Sequence, residues 1–317
     1  MGKTVIMFPG QGVQKIGMSQ EFYEKYKVSR DCFEKAENVT GLDMTNLIFK
    51  ENENLDKTEY TQIALYTAEM AAFYAGVEEG LTFDCAIGLS LGEYSAMTAC
   101  GAIDFEDCAS LVRNRGIYME TAVPDGHGAM AAVIGLDSGK IEEVICHSGL
   151  DNVGIANYNC PGQIVITGKT DAVEEAAAKL KEAGARRTIM LNVSGPFHSQ
   201  MLVPAGEKLA EELEHTRFHE LRIPYVTNVT AEKVTDIRET PGLLTTQISS
   251  PVRWMQSMER MIADGVDTFV EIGPGKTLEG FLRKIDRSVK VFHISQWEDV
   301  DKVCEELADG GNRMEES

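Results

Sequence analysis

No run of the chain approaches the roughly 18 consecutive apolar residues that a membrane span requires, so no spanning helix is expected. Paired cysteines are missing as well. Cys32, Cys85, Cys100, Cys108, Cys146, Cys160 and Cys304 stand singly, with no C-x-x-C pair. An odd count of scattered thiols in a chain this size is expected to be reduced, mostly buried and cytoplasmic. Positive charge is scarce: 30 Lys and Arg against 50 Asp and Glu leave a net charge of -20. That balance excludes non-specific binding to nucleic acid or to an anionic membrane. It also requires that any acidic protein partner find a local basic patch. The opening MGKTVIMFPGQG has one early charge and breaks at Pro9-Gly10, too short for the apolar core of a signal peptide. Gly2 is not followed by the hydroxyl residue of a myristoylation signal, because position 6 is Ile6.

What is present is ordinary globular composition, 317 residues at 43% hydrophobic and 25% charged, enough for one large domain or two unequal ones. Short apolar runs alternate with helical patterns, which predicts an α/β fold. Residues 5–8 form a strand that enters a Pro-Gly turn. Residues 61–79 carry little charge until their end and form a buried helix. A strand at 83–88 is followed at once by a helix over 91–100. The last core strand, 268–272, meets Gly273-Pro274-Gly275 before a helix over 278–285. The middle differs: strand 128–135, helix 139–147, strands 154–159 and 163–167, helix 172–183 and strand 187–191 run β-α-β-β-α-β, the ferredoxin-like order. The expected architecture is therefore an α/β-hydrolase-like core with a parallel sheet, residues 1–125 and 196–317. A ferredoxin-like small subdomain, 126–195, is inserted into it, with a cleft at the junction. The tail after residue 308 is expected to be disordered.

Three partial motifs each fail on one residue. Gly10-Gln11-Gly12 begins like a dinucleotide fingerprint, but Lys15 takes the place of the third glycine. Gly275-Lys276-Thr277 ends like a phosphate loop whose first glycine would be Val270. His215 and His219, four apart in an expected helix, would need a zinc protease's glutamate at Thr216.

Gly88-Leu89-Ser90-Leu91-Gly92 is a G-x-S-x-G sequence between an apolar strand and a helix. In such an elbow the serine sits on a strained turn, and the glycines let neighbouring backbone pack closely. The hydroxyl is then exposed, and the N–H of Leu91 is free at a helix N-terminus. The competing reading is a glycine-rich turn with a capping serine; the strand-then-helix context favours a nucleophile. A serine needs a base to take its proton. Among six histidines, His147, His215 and His219 lie in charged helical stretches, His127 in a glycine-rich junction and His293 in an apolar edge strand. His198, in the small-residue turn Ser194-Gly195-Pro196-Phe197-His198-Ser199 before a helix, suits the role best.

Phe8-Pro9-Gly10-Gln11-Gly12, Gly88-Leu-Ser-Leu-Gly-Glu-Tyr94, Arg115-Gly116, Asn157-Tyr-Asn-Cys-Pro-Gly-Gln163, Phe197-His198 and Glu271-Ile-Gly-Pro-Gly275 follow one another in this order. The set resembles the bacterial malonyl-coenzyme A:acyl carrier protein transacylases and spans nearly the whole chain. The resemblance implies that Ser90 takes up malonyl as an ester and that His198 is base for each attack and acid for each leaving thiol. The N–H groups of Gln11 and Leu91 would form the oxyanion hole. Arg115 would hold the free malonyl carboxylate as a bidentate pair. Gln247 would orient His198 through its backbone carbonyl, which accounts for the lack of a triad carboxylate between Ser90 and His198. Asn157 and Asn159 would line the site. Phe197 would crowd the extra methyl of a methylmalonyl group, a modest source of selectivity. Malonyl-CoA and holo-acyl carrier protein are the implied partners, with no metal or organic cofactor.

From the local residues alone, Arg115 fits a surface helix as well as a site, and the two asparagines fit strand-end caps. The elbow departs from the family where Leu89 replaces a common histidine. That removes a polar neighbour of the nucleophile and leaves every group named above in place. Lys276, Arg283, Lys284, Arg287 and Lys290 form the densest basic stretch, either a dock for the acidic carrier or coenzyme A phosphates, or a solvated helix face. Three other classes share parts of this pattern. A stand-alone polyketide acyltransferase would have nearly the same residues, and a serine esterase or thioesterase would have no use for Arg115. A non-catalytic carrier-binding scaffold would lack Ser90 or His198.

Overall fold

The computed structural model describes residues 2–312, with side chains as far as residue 308. In chain order the strands are β1 (Lys3–Phe8), β2 (Cys85–Gly88), β3 (Gly128–Ile134), β4 (Val153–Cys160), β5 (Gln163–Lys169), β6 (Arg187–Met190), β7 (Tyr225–Val226), β8 (Lys233–Val234), β9 (Val266–Ile272) and β10 (Lys290–Ile294). They form two sheets. The larger runs β10-β9-β1-β2-β7-β8, parallel throughout except where β8 turns back on β7. Helices cover both faces of its central strands, so Val5, Ile6, Met7, Phe8, Ala86 and Ile87 are apolar on consecutive positions instead of alternating.

The chain leaves β1 toward β2 on one side and later places β9 on the other. Such a reversal opens a crevice at the carboxyl ends of the strands, where ligands settle in open α/β sheets. Phe8 is paired with Gly88, so the Pro9–Gly12 turn and the turn after β2 leave the sheet side by side.

The helix Thr58–Glu78 is apolar on all sides, and 16 of its 21 residues are buried beneath the sheet, as befits a core helix. It starts three residues before the predicted boundary. It packs against the helix Phe105–Thr121, where Gly116 has a purpose: a Cβ there would stand 2.9 Å from Glu59 Cα.

The second sheet is antiparallel, ordered β4-β5-β3-β6, with the helices Ser138–His147 and Thr170–Glu182 on one face around Val133, Ile141, Ile166, Val173 and Leu180. Its other face adds Met130, Ala156 and Val165 to the main core. β4 is tied to the larger body by backbone bonds, Val252 N–H to the Ala156 carbonyl at 2.7 Å and Tyr158 N–H to the Val252 carbonyl at 2.9 Å.

Two local expectations change. His219 is not helical: the helix Val203–His215 ends where Thr216 turns extended, Phe218 then bridges to Ile103, and His219 Nε2 lies 3.0 Å from an Asp104 carboxylate oxygen. The chain after residue 308 is not disordered at its start, since the helix Trp297–Asn312 continues through it; 313–317 lie outside the described residues. Among the described residues no helix is long and apolar enough to cross a membrane.

Candidate active site

β2 delivers Ser90 to a sharp turn before the helix Gly92–Ala99. Ser90 has φ 55°, left-handed backbone that a β-carbon disfavours and that persists only where surroundings impose it. The surroundings are tight. A Cβ on Gly88 would stand 1.8 Å from the Gly92 carbonyl carbon, and one on Gly92 would stand 2.2 Å from the Phe8 carbonyl oxygen. Both positions therefore admit glycine alone without a shift of backbone.

His198 also has left-handed backbone, φ 60°, and is buried. Its Nε2 lies 2.8 Å from Ser90 Oγ. Its Nδ1 faces two carbonyl oxygens, of Gln247 at 2.9 Å and Ser250 at 3.1 Å. Carbonyls only accept, so Nδ1 carries the proton and Nε2 turns its lone pair to the serine. Gln247 is the last residue of the helix Thr240–Gln247, where carbonyls are left over by the helix itself. Burial, with the charge of Arg115 added, pushes the imidazole down to about 4, so it is neutral and able to accept a proton at physiological pH.

Arg115 is not a surface residue; it is 0% exposed. Its Nη1 donates to Gln62 Oε1 at 2.7 Å, and its Nη2 to Gln247 Oε1 at 3.1 Å and Ser90 Oγ at 3.2 Å. All three acceptors are neutral, and Nε has no partner among the described residues. Tyr94 lies under the guanidinium, 5.2 Å to the ring centroid. Burial draws the guanidinium down from its ordinary value. A buried cation without a hydrogen-bonded counterion is costly, and an entering carboxylate would relieve that cost.

The backbone N–H groups of Gln11 and Leu91 have no hydrogen-bond acceptor among the described residues, while the Gln11 side chain donates to Thr58 Oγ1 at 3.2 Å. Phe197 is buried beside His198. Asn157 and Asn159 are buried on β4, Asn157 in the bridge to Val252 and Asn159 with its Oδ1 unpaired. No hydrogen bond ties either asparagine to Ser90, His198 or Arg115 among the described residues. A cavity of ≈ 300 Å³ reaches His198, with Gly154, Ile155 and Thr167 of the small sheet on one wall and Met201, Ser249 and Pro251 on the other. Leu89 packs with the apolar cluster behind the sheet. The five cations of the basic stretch are exposed; Lys284 Nζ donates to Gln163 Oε1 at 3.1 Å, and Arg283 meets Glu279 at 3.3 Å.

Two residues at the elbow escaped the sequence reading. Asn228, just past β7, accepts from Ser90 N–H at 2.7 Å and donates to the Gly88 carbonyl at 2.7 Å. Glu93 is fully buried and accepts from Asn228 N–H at 3.0 Å and Gln247 Nε2 at 2.6 Å. Burial pushes its carboxyl up to about 7 against the pull of those donors and of Arg115. The signal for Asn228 was its place at the carboxyl end of a strand next to β2, which depends on sheet order and is invisible in local sequence. Glu93 stood inside the elbow motif with no feature to separate it from an exposed first-turn carboxylate.

Residues 5–299 match the acyl transferase domain family. A malonyl CoA-acyl carrier protein transacylase of Bacillus subtilis is 42% identical over 311 residues, 97% of this chain and 98% of that one. A crystal structure of malonyl CoA-acyl carrier protein transacylase from Clostridium perfringens superposes with a TM-score of 0.94 at 41% identity, over 99% of both chains. A malonyl-transacylase solved in complex with its type II PKS acyl-carrier protein superposes at 0.93 with 36% identity, covering 96% of this chain and 99% of that one. Likeness at this level along the full length leaves one assignment: the chain belongs to the acyl transferase family, among the malonyl CoA-acyl carrier protein transacylases.

Proposed function

We propose that the protein moves malonyl from malonyl-CoA to the phosphopantetheine thiol of holo-acyl carrier protein through a malonyl ester on Ser90, supplying fatty acid synthesis. In the first half, Ser90 Oγ attacks the thioester carbonyl while His198 Nε2 takes its proton. The oxyanion forms against the N–H groups of Gln11 and Leu91, each such donor typically worth about 2.7–4 kcal/mol. The C–S bond breaks, and His198 returns the proton to the departing coenzyme A sulfur. The second half repeats these steps with the carrier thiol as nucleophile and Ser90 as leaving group. The carbonyls of Gln247, at the end of the helix Thr240–Gln247, and of Ser250, three residues beyond it, take the orienting role that a carboxylate has in serine hydrolases of this elbow type.

The observation that carries this reading is Arg115, buried with neutral partners and 3.2 Å from Ser90 Oγ. A malonyl group bears its free carboxylate one methylene from the reacting carbonyl. A planar fork beside the nucleophile suits it in two parallel bonds. A thioesterase acting on neutral acyl chains has no need of that cation. Phe197, beside the base, would crowd an α-methyl branch, and Asn157 and Asn159 would line the path of the thioester arm through the cleft. The relatives' names support malonyl-CoA and carrier protein as partners, and the solved complex supports direct contact with the carrier. That complex, with its PKS carrier, also keeps polyketide synthesis as a second reading, separable by carrier preference.

The β-α-β-β-α-β order and the 2-3-1-4 arrangement of the small sheet support treating 126–195 as a ferredoxin-like insertion in an α/β-hydrolase-like core of 1–125 and 196–317. Seven unpaired cysteines, five of them buried, suit the cytoplasm. The exposed cations around the helix Thr277–Ile285 offer an acidic carrier a patch of opposite sign.

Arg115→Ala tests the assignment by comparing acyl groups. Transfer of malonyl is expected to fall by at least about a hundredfold, the scale on which a buried charged hydrogen-bond partner is lost, while acetyl transfer holds or rises. Equal losses for malonyl and acetyl would contradict the carboxylate role.

A further inference from the structure

Resting on the reading of Ser90 as nucleophile, we propose that Asn228 is a positioning residue that fixes the Leu89–Ser90 peptide, paired with the Gln247 side-chain amide on the peptide that follows. Two peptide planes meet at the Ser90 Cα. The N–H of the first donates to Asn228 Oδ1 at 2.7 Å. The carbonyl of the second accepts from Gln247 Nε2 at 3.1 Å. Fixing both planes fixes φ and ψ of Ser90, and φ is held at 55°, where the residue would not rest unaided.

The orientation matters twice. It points Oγ at His198 Nε2, 2.8 Å away. The Ser90 carbonyl and the Leu91 N–H also share one trans peptide and point to opposite sides. Drawing the carbonyl to Gln247 therefore aims the Leu91 N–H away from Gln247, toward the face where an oxyanion would form.

Asn228 is built for this clamp. Its Nδ2 donates to the Gly88 carbonyl at 2.7 Å, so one planar amide binds an acceptor before the elbow and a donor within it. It is 1% exposed, and β7 carries it there through the pairing of Val226 with Ile87. Glu93 Oε2 joins the two halves, accepting from Asn228 N–H and from Gln247 Nε2. A side chain needs a donor and an acceptor on adjacent atoms to serve both contacts. An ionised aspartate would set an oxygen against the Gly88 carbonyl, whereas its protonated form restores the pair.

Asn228→Ala and Asn228→Asp test this, with circular dichroism as a check on folding. Rapid-quench mass spectrometry measures acylation of Ser90 by malonyl-CoA at pH 8 and pH 5.5. The ionisable groups around the clamp, Glu93, Arg115 and His198, are common to all forms, so wild type supplies the control profile. Asn228→Ala is expected to lower the saturating acylation rate by about tenfold to a hundredfold, as small misplacements of a reacting group do, with half-saturation by malonyl-CoA unchanged. Asn228→Asp is expected to be slow at pH 8 and to recover toward wild type at pH 5.5. Folded variants within twofold of wild type would overturn the proposal, as would an Asn228→Asp loss equal at both pH values. If Asn228→Ala fails to fold, Asn228→Asp decides. The same comparison with a fluorophosphonate, which needs a poised serine and no malonyl, separates the two readings. Wild type that reacts with it but not with malonyl-CoA would count against the transferase, while the variants' fluorophosphonate rates still judge the clamp.

Discussion

Ser90 and His198 meet through backbone that neither side chain favours, at φ 55° and 60°, and each is held by hydrogen bonds from outside its own segment. His198 is neutral because burial, and then the charge of Arg115, opposes its protonation. That order of causes gives a testable asymmetry between the two half-reactions. The specificity constant for malonyl-CoA reports the free enzyme, so it should stay level down to about pH 5 and fall toward pH 4. The specificity constant for the carrier reports the malonyl-enzyme, in which, on the role proposed for Arg115, a carboxylate would sit on the guanidinium and cancel part of its repulsion. Its acid limb should lie at higher pH. Coincident limbs near the ordinary histidine value of about 6.5 would contradict the buried environment. At this scale the meeting of Ser90 with His198 was legible from their neighbours. Arg115 was not, because burial is decided by the helix Thr58–Glu78 packed against it and not by its own segment.

Elements are placed by their ends. The helix Thr240–Gln247 lends the carbonyl of its last residue to His198, and the helix Thr277–Ile285 is held at its start by Glu271 on β9. Glu271 accepts from Leu278 N–H at 3.1 Å and Glu279 N–H at 2.8 Å. Burial nevertheless pushes its carboxyl up to about 7, from 4.5 when exposed. The folded chain therefore binds a proton there that the unfolded chain has lost between these values. The associated stability is complete below about 4.5 and is lost as pH rises through 7, with a slope of about 1.4 kcal/mol per pH unit for one proton. Glu271→Gln keeps an acceptor for the helix and removes the titration. Urea unfolding at pH 5 and pH 7.5 should show a smaller fall in stability for the variant than for wild type. Equal falls would mean that Glu271 does not titrate in this range. The sequence showed the Glu-Ile-Gly-Pro-Gly turn and the helix after it, since both are local patterns. It could not show that the glutamate caps that helix, because the contact requires the turn to fold back.

Across the whole molecule, the alternation of strands and helices was readable because each element is written in its own periodicity. The order of the strands was not. β9 lies beside β1 across more than 250 residues, and β7, which brings Asn228 to the elbow, is two residues long with no pattern of its own. The site stands where these long-range pairings converge, at the ends of β1, β2 and β7. On the proposed function, this convergence makes Ser90 a relay for malonyl between two thiols. Intact-protein mass spectrometry after brief mixing with malonyl-CoA, repeated on adding holo-carrier protein, tests it most directly. One malonyl adduct is expected, absent in Ser90→Ala, that leaves the enzyme as the carrier gains it. An adduct in Ser90→Ala, or one lost to water as fast as to the carrier, would contradict it.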